Sequence, residues 1–202
     1  MSVLYSNQTA DACLFAEADA FYATIKENLS SPDMEGKTGA EVERQLAAEQ
    51  QELMRRLFQA HLTLRGQGQV QEVVVGADGI ARPHRRQGLS RQLETVFGTV
   101  EFERTGHAGR NLSTLYPVDA GLNAPGGKYS HEVDRQIAKA AARLSFDEAL
   151  EMVCSQTGAH LPKRQAEEAV QRAARDFDEF YSGTSLEFDG PTSEFLVLTL
   201  DQ

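Results

Sequence analysis

The chain has 202 residues, of which 41% are hydrophobic and 25% charged, which excludes a disordered or low-complexity protein and leaves room for one or two globular domains. Its formal net charge of -10 excludes a uniformly basic coat for nucleic acid. No apolar run approaches a membrane span, and Met1 to Ala10 carry neither the basic region nor the apolar core of a secretion signal, so a cytoplasmic protein with no membrane partner is expected.

Charge is unevenly distributed. Residues 1–60 hold 5 Lys and Arg against 10 Asp and Glu, residues 61–145 hold 11 against 8, and residues 146–202 hold 4 against 12. Only the middle third is net positive, so any surface for a polyanion must be local. Cys13 and Cys154 have no zinc spacing and are expected to be buried free thiols.

Leu14, Ala18, Phe21, Ile25 and Leu29 recur at helical spacing and predict an amphipathic helix over residues 10–29, broken by Ser30-Ser31-Pro32. Thr38-Gly39-Ala40-Glu41 reads as a capping box, and Val42, Leu46, Leu53, Leu57 and Leu64 carry the next stripe to a stop at Arg65-Gly66. The pair predicts a helical hairpin over 1–65, and its near-heptad stripe fits either intramolecular packing or a dimerising coiled coil.

Residues 66–128 change period. Val73-Val74-Val75 predicts a short strand turned by Gly76-Ala77-Asp78-Gly79, and the alternation of Leu93, Thr95 and Phe97 with Val100 and Phe102 across Gly98 predicts a β-hairpin. A basic, Pro-containing segment from Arg82 through Arg85 and Arg86 to Arg91 precedes it, and Gly, Pro and Asn between Thr105 and Ser130 predict a structured loop.

Helical periodicity returns over 129–182 in three segments. Val133, Ile137, Ala140, Ala141 and Leu144 line the first; a capping box at Ser145-Phe146-Asp147-Glu148 opens the second, which Gly158 ends; Pro162 suits the first turn of the third, whose stripe runs from Ala166 to Phe177 and Tyr181. The fold class expected is α+β, mainly helical, with a helix-turn-helix-like three-helix unit and a final strand over Phe195 to Leu200 within a linker-and-strand segment, 183–202.

Lys163, Arg164 and Gln165 fall in the first turn of that last helix. Two cations there oppose the helix dipole, a placement without a stability rationale unless an anion faces it. In a helix-turn-helix, Arg164 and Gln165 can donate to base edges and Lys163 and Arg172 to phosphates, although many helical hairpins share this layout and bind no DNA. Arg82, Arg85, Arg86 and Arg91 can track a phosphate backbone, or simply be solvated. Asp176, Asp178 and Glu179 read as a solvated helix face, His107, His131 and His160 have no catalytic or zinc spacing, and Gly76 to Gly79 is a turn, not a phosphate-cradling loop.

Several runs resemble a known family. Arg91-Gln92-Leu93-Glu94-Thr95-Val96-Phe97-Gly98-Thr99-Val100, Leu115-Tyr116-Pro117-Val118-Asp119-Ala120-Gly121-Leu122-Asn123, Tyr129-Ser130-His131, Ser145-Phe146-Asp147-Glu148-Ala149, Lys163-Arg164-Gln165 and Leu196-Val197-Leu198-Thr199-Leu200-Asp201 are similar to the N-terminal part of DDE transposases of the ISKra type of bacterial insertion sequence. The likeness is collinear over roughly residues 65–202, while residues 1–60 share only helical character with the family.

The resemblance implies a DNA-binding front region followed by an RNase H-like catalytic domain in which three carboxylates hold two Mg2+ for strand cleavage and transfer. By the same resemblance Asp201 is the first of those three acids. The family places Gly and then Lys-Gly after this Asp, where this chain has Gln202. The expectation is therefore a transposase truncated at its first catalytic residue, with no cofactor and no catalysis of its own: a decayed element, a deliberately shortened chain or the first of two frames joined by ribosomal frameshifting. Its expected partner is DNA at insertion-sequence ends; the competing expectation is an interaction protein that forms homo-oligomers or pairs with full-length transposase to regulate or inhibit it.

Overall fold

Local side-chain chemistry fixes three of the six α-helix starts among the described residues. The Thr38 hydroxyl accepts from the Glu41 backbone N–H at 3.4 Å while the Glu41 carboxylate accepts from the Thr38 N–H at 2.7 Å, opening a helix over Gly39–Leu64. Ser145 and Glu148 form the same box at the head of Phe146–Thr157, and the Ser130 hydroxyl accepts from Val133 N–H at 3.2 Å to cap His131–Ala141.

A computed structural model describes residues 13–68, 70 and 72–175 as a mixed α+β fold. In chain order the elements are α1 (Ala16–Leu29), a 3-10 turn (Pro32–Met34), α2 (Gly39–Leu64), β1 (Val74–Val75), β2 (Ala81–Arg82), β3 (His84–Thr95), β4 (Gly98–Ala108), α3 (Pro117–Gly121), α4 (His131–Ala141), α5 (Phe146–Thr157) and α6 (Lys163–Ala173). β1 pairs antiparallel with β2, and β3 with β4. The expected terminal strand, with Phe177, Tyr181 and Asp201, lies outside the described residues. No described helix is long and apolar enough to cross a membrane.

α1 and α2 form the expected helical hairpin, with Ala18 and Ile25 buried and the Arg56 guanidinium 4.3 Å from the Phe21 ring centroid. Across one turn of α2, Glu52 accepts from Arg55 and Arg56, both at 2.7 Å. The Arg55 hydrogen bond, with help from Arg56, lowers the Glu52 carboxyl to about 2. A carboxyl lowered on folding contributes stability that is present above about pH 4.5 and is lost as pH falls toward 2. Thermal melts of wild type and Glu52→Gln should therefore differ at neutral pH and converge in acid, the gap staying small because the pair is about one-third exposed. A gap that persists unchanged at pH 2 would contradict this.

The β-hairpin is longer than the alternation predicts. Pairing runs from His84↔Ala108 to Thr95↔Gly98, with an irregularity between Arg86 and Leu89. The basic segment expected as a loop beside the hairpin is, from His84 onward, the outer half of β3. Exposed on both faces, that half has no apolar alternation to announce it. Gly98, at φ +111°, closes the turn, where the Thr95 hydroxyl donates to Gly98 O at 2.7 Å and accepts from Phe97 N–H at 3.2 Å.

Three apolar clusters tie the elements together. Leu62 of α2 packs with Leu93, Val100, Phe102 and Val118, with Phe58 and Leu122 at its margin, so the helical hairpin and the β-hairpin share a core. Tyr129, Val133, Ala159 and Leu161 join Val96 at the hairpin tip to the C-terminal helices. Ile137, Ala140, Ala149, Val153, Ala166 and Ala169 fill the centre of α4, α5 and α6. The thiols differ from expectation: Cys13 is exposed and Cys154 half-buried.

Candidate nucleic-acid interface

α5 and α6 are joined by residues 158–162. Gly158 ends α5 in the left-handed conformation at φ +63°, its N–H donating to Cys154 O at 3.0 Å, and a Cβ there would come within 2.7 Å of the Gln51 side-chain amide. Ala159 and Leu161 are buried and pin the connection to the unit. Pro162 stands just before the helix, with φ -63° and ψ 145°, and not inside its first turn. The fully buried Ala166 and Ala169 let α6 lie close against α4 and α5.

This packing holds the first turn of α6 outward. Lys163 and Arg164 are exposed and Gln165 half-buried. The Lys163 ammonium lies 2.8 Å from Asp147 of α5, and Arg164 lies 3.1 Å from Glu168 one turn along its own helix. Hydrogen bonding to Asp147 raises the Lys163 pKa, so the ammonium stays charged. Both pairs sit in solvent, with the Arg164 side chain 86% exposed, so they restrain the cations only weakly. Each other described α-helix carries an acid in its first turn, whereas α6 carries none.

Arg172 sits near the end of α6 and chelates Asp134 of α4 at 2.9 Å and 3.0 Å. It lines a cavity of about 520 Å³ with Arg135, Arg175, Gly126 and Gly127. Arg85 and Arg86 are exposed on β3, opposite His107 and Gly106.

Arg82 and Arg91 are placed differently from expectation. Arg82 is 3% exposed, pairs with Asp78 at 2.7 Å and donates to the Ser113 and Ile80 carbonyls. Arg91 pairs with Asp119 at 2.7 Å, donates to the Pro125 and Gly127 carbonyls and lies over the Phe102 ring. Arg104 reaches the same Asp119 carboxylate and stacks 3.7 Å from the Tyr116 centroid. Arg82 and Arg91 brace loops, and neither guanidinium is presented to a phosphate.

The structure also groups cations that the sequence reading passed over. Arg135, Lys139 and Arg143 follow at four-residue intervals along α4 and its end, lining one wall of a groove between α4 and α5 of about 480 Å³. The spacing is legible in the sequence, and Ala140 and Leu144 of the apolar stripe line the same groove. Among the described residues, no three His, Cys, Asp or Glu side chains gather as a metal-holding group, and Asp201 lies outside those residues. No family model, curated protein or solved structure matches this chain.

Proposed function

We propose that this chain grips duplex DNA through the first turn of α6, as the DNA-binding portion of an insertion-sequence transposase. The observation that carries the reading is the first turn of α6, with Lys163 and Arg164 exposed and Gln165 half-buried beside them, on a helix whose alanines lock it against α4 and α5. A helix, a short glycine-capped connection and a second helix is the arrangement by which a recognition helix offers its N-terminal residues to base edges. Its first-turn cations, unfavourable to the helix dipole alone, become favourable beside a phosphate. Arg164 and Gln165 are assigned to base edges, with Lys163 on the backbone and Arg85 and Arg86 reaching flanking phosphates. The collinear likeness to ISKra-type transposases supports the same assignment and makes element ends the natural target. Strand transfer in such a protein belongs to the metal-holding carboxylates of its catalytic domain.

Fluorescence anisotropy with a labelled duplex at low salt tests this reading. Lys163→Ala with Arg164→Ala is expected to weaken binding about tenfold or more, with a shallower dependence of log K on log salt by about 0.9 for each phosphate contact removed. Wild-type chain that leaves the duplex unbound at 50 mM salt would end the proposal.

A second reading, a dimerising interaction protein that regulates full-length transposase, draws on one observation: Tyr22, Leu29, Leu46 and Leu64 of α1 and α2 are exposed. A monomer in analytical ultracentrifugation, unchanged by Leu46→Asp, would remove it.

A further inference from the structure

We infer that the Arg135–Lys139–Arg143 ridge of α4 is a second contact for the phosphate backbone of the duplex bound by α6; the inference rests on that DNA reading. The groove beside the ridge is lined by three cations and no carboxylate, in a chain whose net charge is -10. Residues 129–175 hold 7 Lys and Arg and 7 Asp and Glu, so the unit is neutral as a whole.

Like charges four residues apart on a helix repel one another. Arg135 is relieved by Glu132 at 2.6 Å, while among the described residues neither Lys139 nor Arg143 has a carboxylate partner. The helix dipole favours a cation near the end of α4, which accounts for Lys139 and Arg143 one at a time. It does not account for their alignment with Arg135, whose charge Glu132 answers, along a groove that no carboxylate lines.

Four residues of helix rise about 6 Å, so the ridge offers cations at regular intervals on long, adaptable stems to a strand of phosphates. Arg143 precedes by four residues Asp147, whose carboxylate pairs with Lys163 in the first turn of α6. Contacts of this kind position a duplex without reading its sequence. α6 would then supply discrimination and α4 a sequence-independent hold.

The test measures duplex affinity by anisotropy across a salt series for the wild type, Lys139→Ala/Arg143→Ala, Lys163→Ala/Arg164→Ala, and Lys26→Ala/Lys37→Ala, which removes equal charge from the N-terminal hairpin. Circular dichroism melts establish that each variant is folded; the ridge positions are exposed. The expected result is binding about 10- to 100-fold weaker for the ridge variant, on matched and scrambled duplexes alike, with the salt slope shallower by about 1.8 and the Lys26/Lys37 control unchanged. A ridge variant with wild-type affinity and slope, beside a weakened Lys163/Arg164 variant, overturns the inference and leaves the α6 reading standing. The converse pattern overturns the α6 reading and, with it, the ridge as a second contact, because the ridge would then be the contact that holds the duplex. A wild type that leaves the duplex unbound overturns both.

Discussion

Replacing Ile137 with Ala is expected to destabilise the protein by about 3–5 kcal/mol, in the upper part of the range for large-to-small changes in a packed core. Ile137 is 0% exposed and lies among Ala140, Ala149, Val153, Ala166 and Ala169. The cost depends on how far the surroundings can collapse into the space left behind. Here most neighbours are alanines, which have no side-chain freedom with which to fill it, so closure would require moving whole helices. Urea unfolding followed by circular dichroism measures the loss; a change below about 1.5 kcal/mol would show that α4, α5 and α6 close over the missing methyls. The same variant should weaken duplex binding, because it loosens the seat of α6 while leaving Lys163, Arg164 and Gln165 in place.

Replacing Asp119 with Ala is expected to cost about 3 kcal/mol, at the low end for breaking a buried ion pair. Its carboxylate serves two guanidiniums, Arg91 and Arg104, and the three side chains are 10–20% exposed, which moderates the penalty. Without Asp119 two cations remain beside Tyr116 and Phe102, Arg91 with only the Pro125 and Gly127 carbonyls to answer it and Arg104 with only the Tyr116 ring. The penalty arises from stranding those charges, so Asp119→Leu combined with Met at both Arg91 and Arg104 should recover much of the loss. If the single and triple variants unfold at the same urea concentration, the loss comes from elsewhere, such as the short α3. Arg91→Ala should likewise lower stability while leaving the affinity of the folded protein for DNA unchanged, separating its bracing role from that of exposed Arg85 and Arg86.

The starts of α2, α4 and α5 and the apolar faces of α4 and α5 were legible in the chain alone, whereas α3 falls in the stretch expected as a loop, and the stripe expected on α2 includes exposed Leu46 and Leu64 and omits buried Leu62. Thr38 with Glu41, Ser145 with Glu148, and Gly158 act on backbone groups within four residues, and the stripes through Ile25 and Ile137 repeat within a turn or two. Interactions that short carry their partners in the same stretch of sequence. The turn at Gly98 was legible for the same reason, but the outer half of β3 was not: a strand exposed on both faces is defined by β4 alone, up to 24 residues away at His84↔Ala108.

Which arginines meet solvent was decided by tertiary structure. Arg82 and Arg85 look equivalent in a basic run, yet Ser113 and Asp78 enclose the first while the second stays exposed. Arg91 is separated from Asp119 by 28 residues and from Gly127 by 36, distances over which composition carries no pairing information. The ridge of Arg135, Lys139 and Arg143 likewise became a cationic wall only when α5 packed beside α4 and formed a groove without a carboxylate. The sequence by itself determined where the capped helices α2, α4 and α5 begin and which sides of α4 and α5 are apolar, because capping and periodicity are local. Only the fold decided which charges neutralise one another and which remain for a partner, because that depends on contacts between residues distant in the chain.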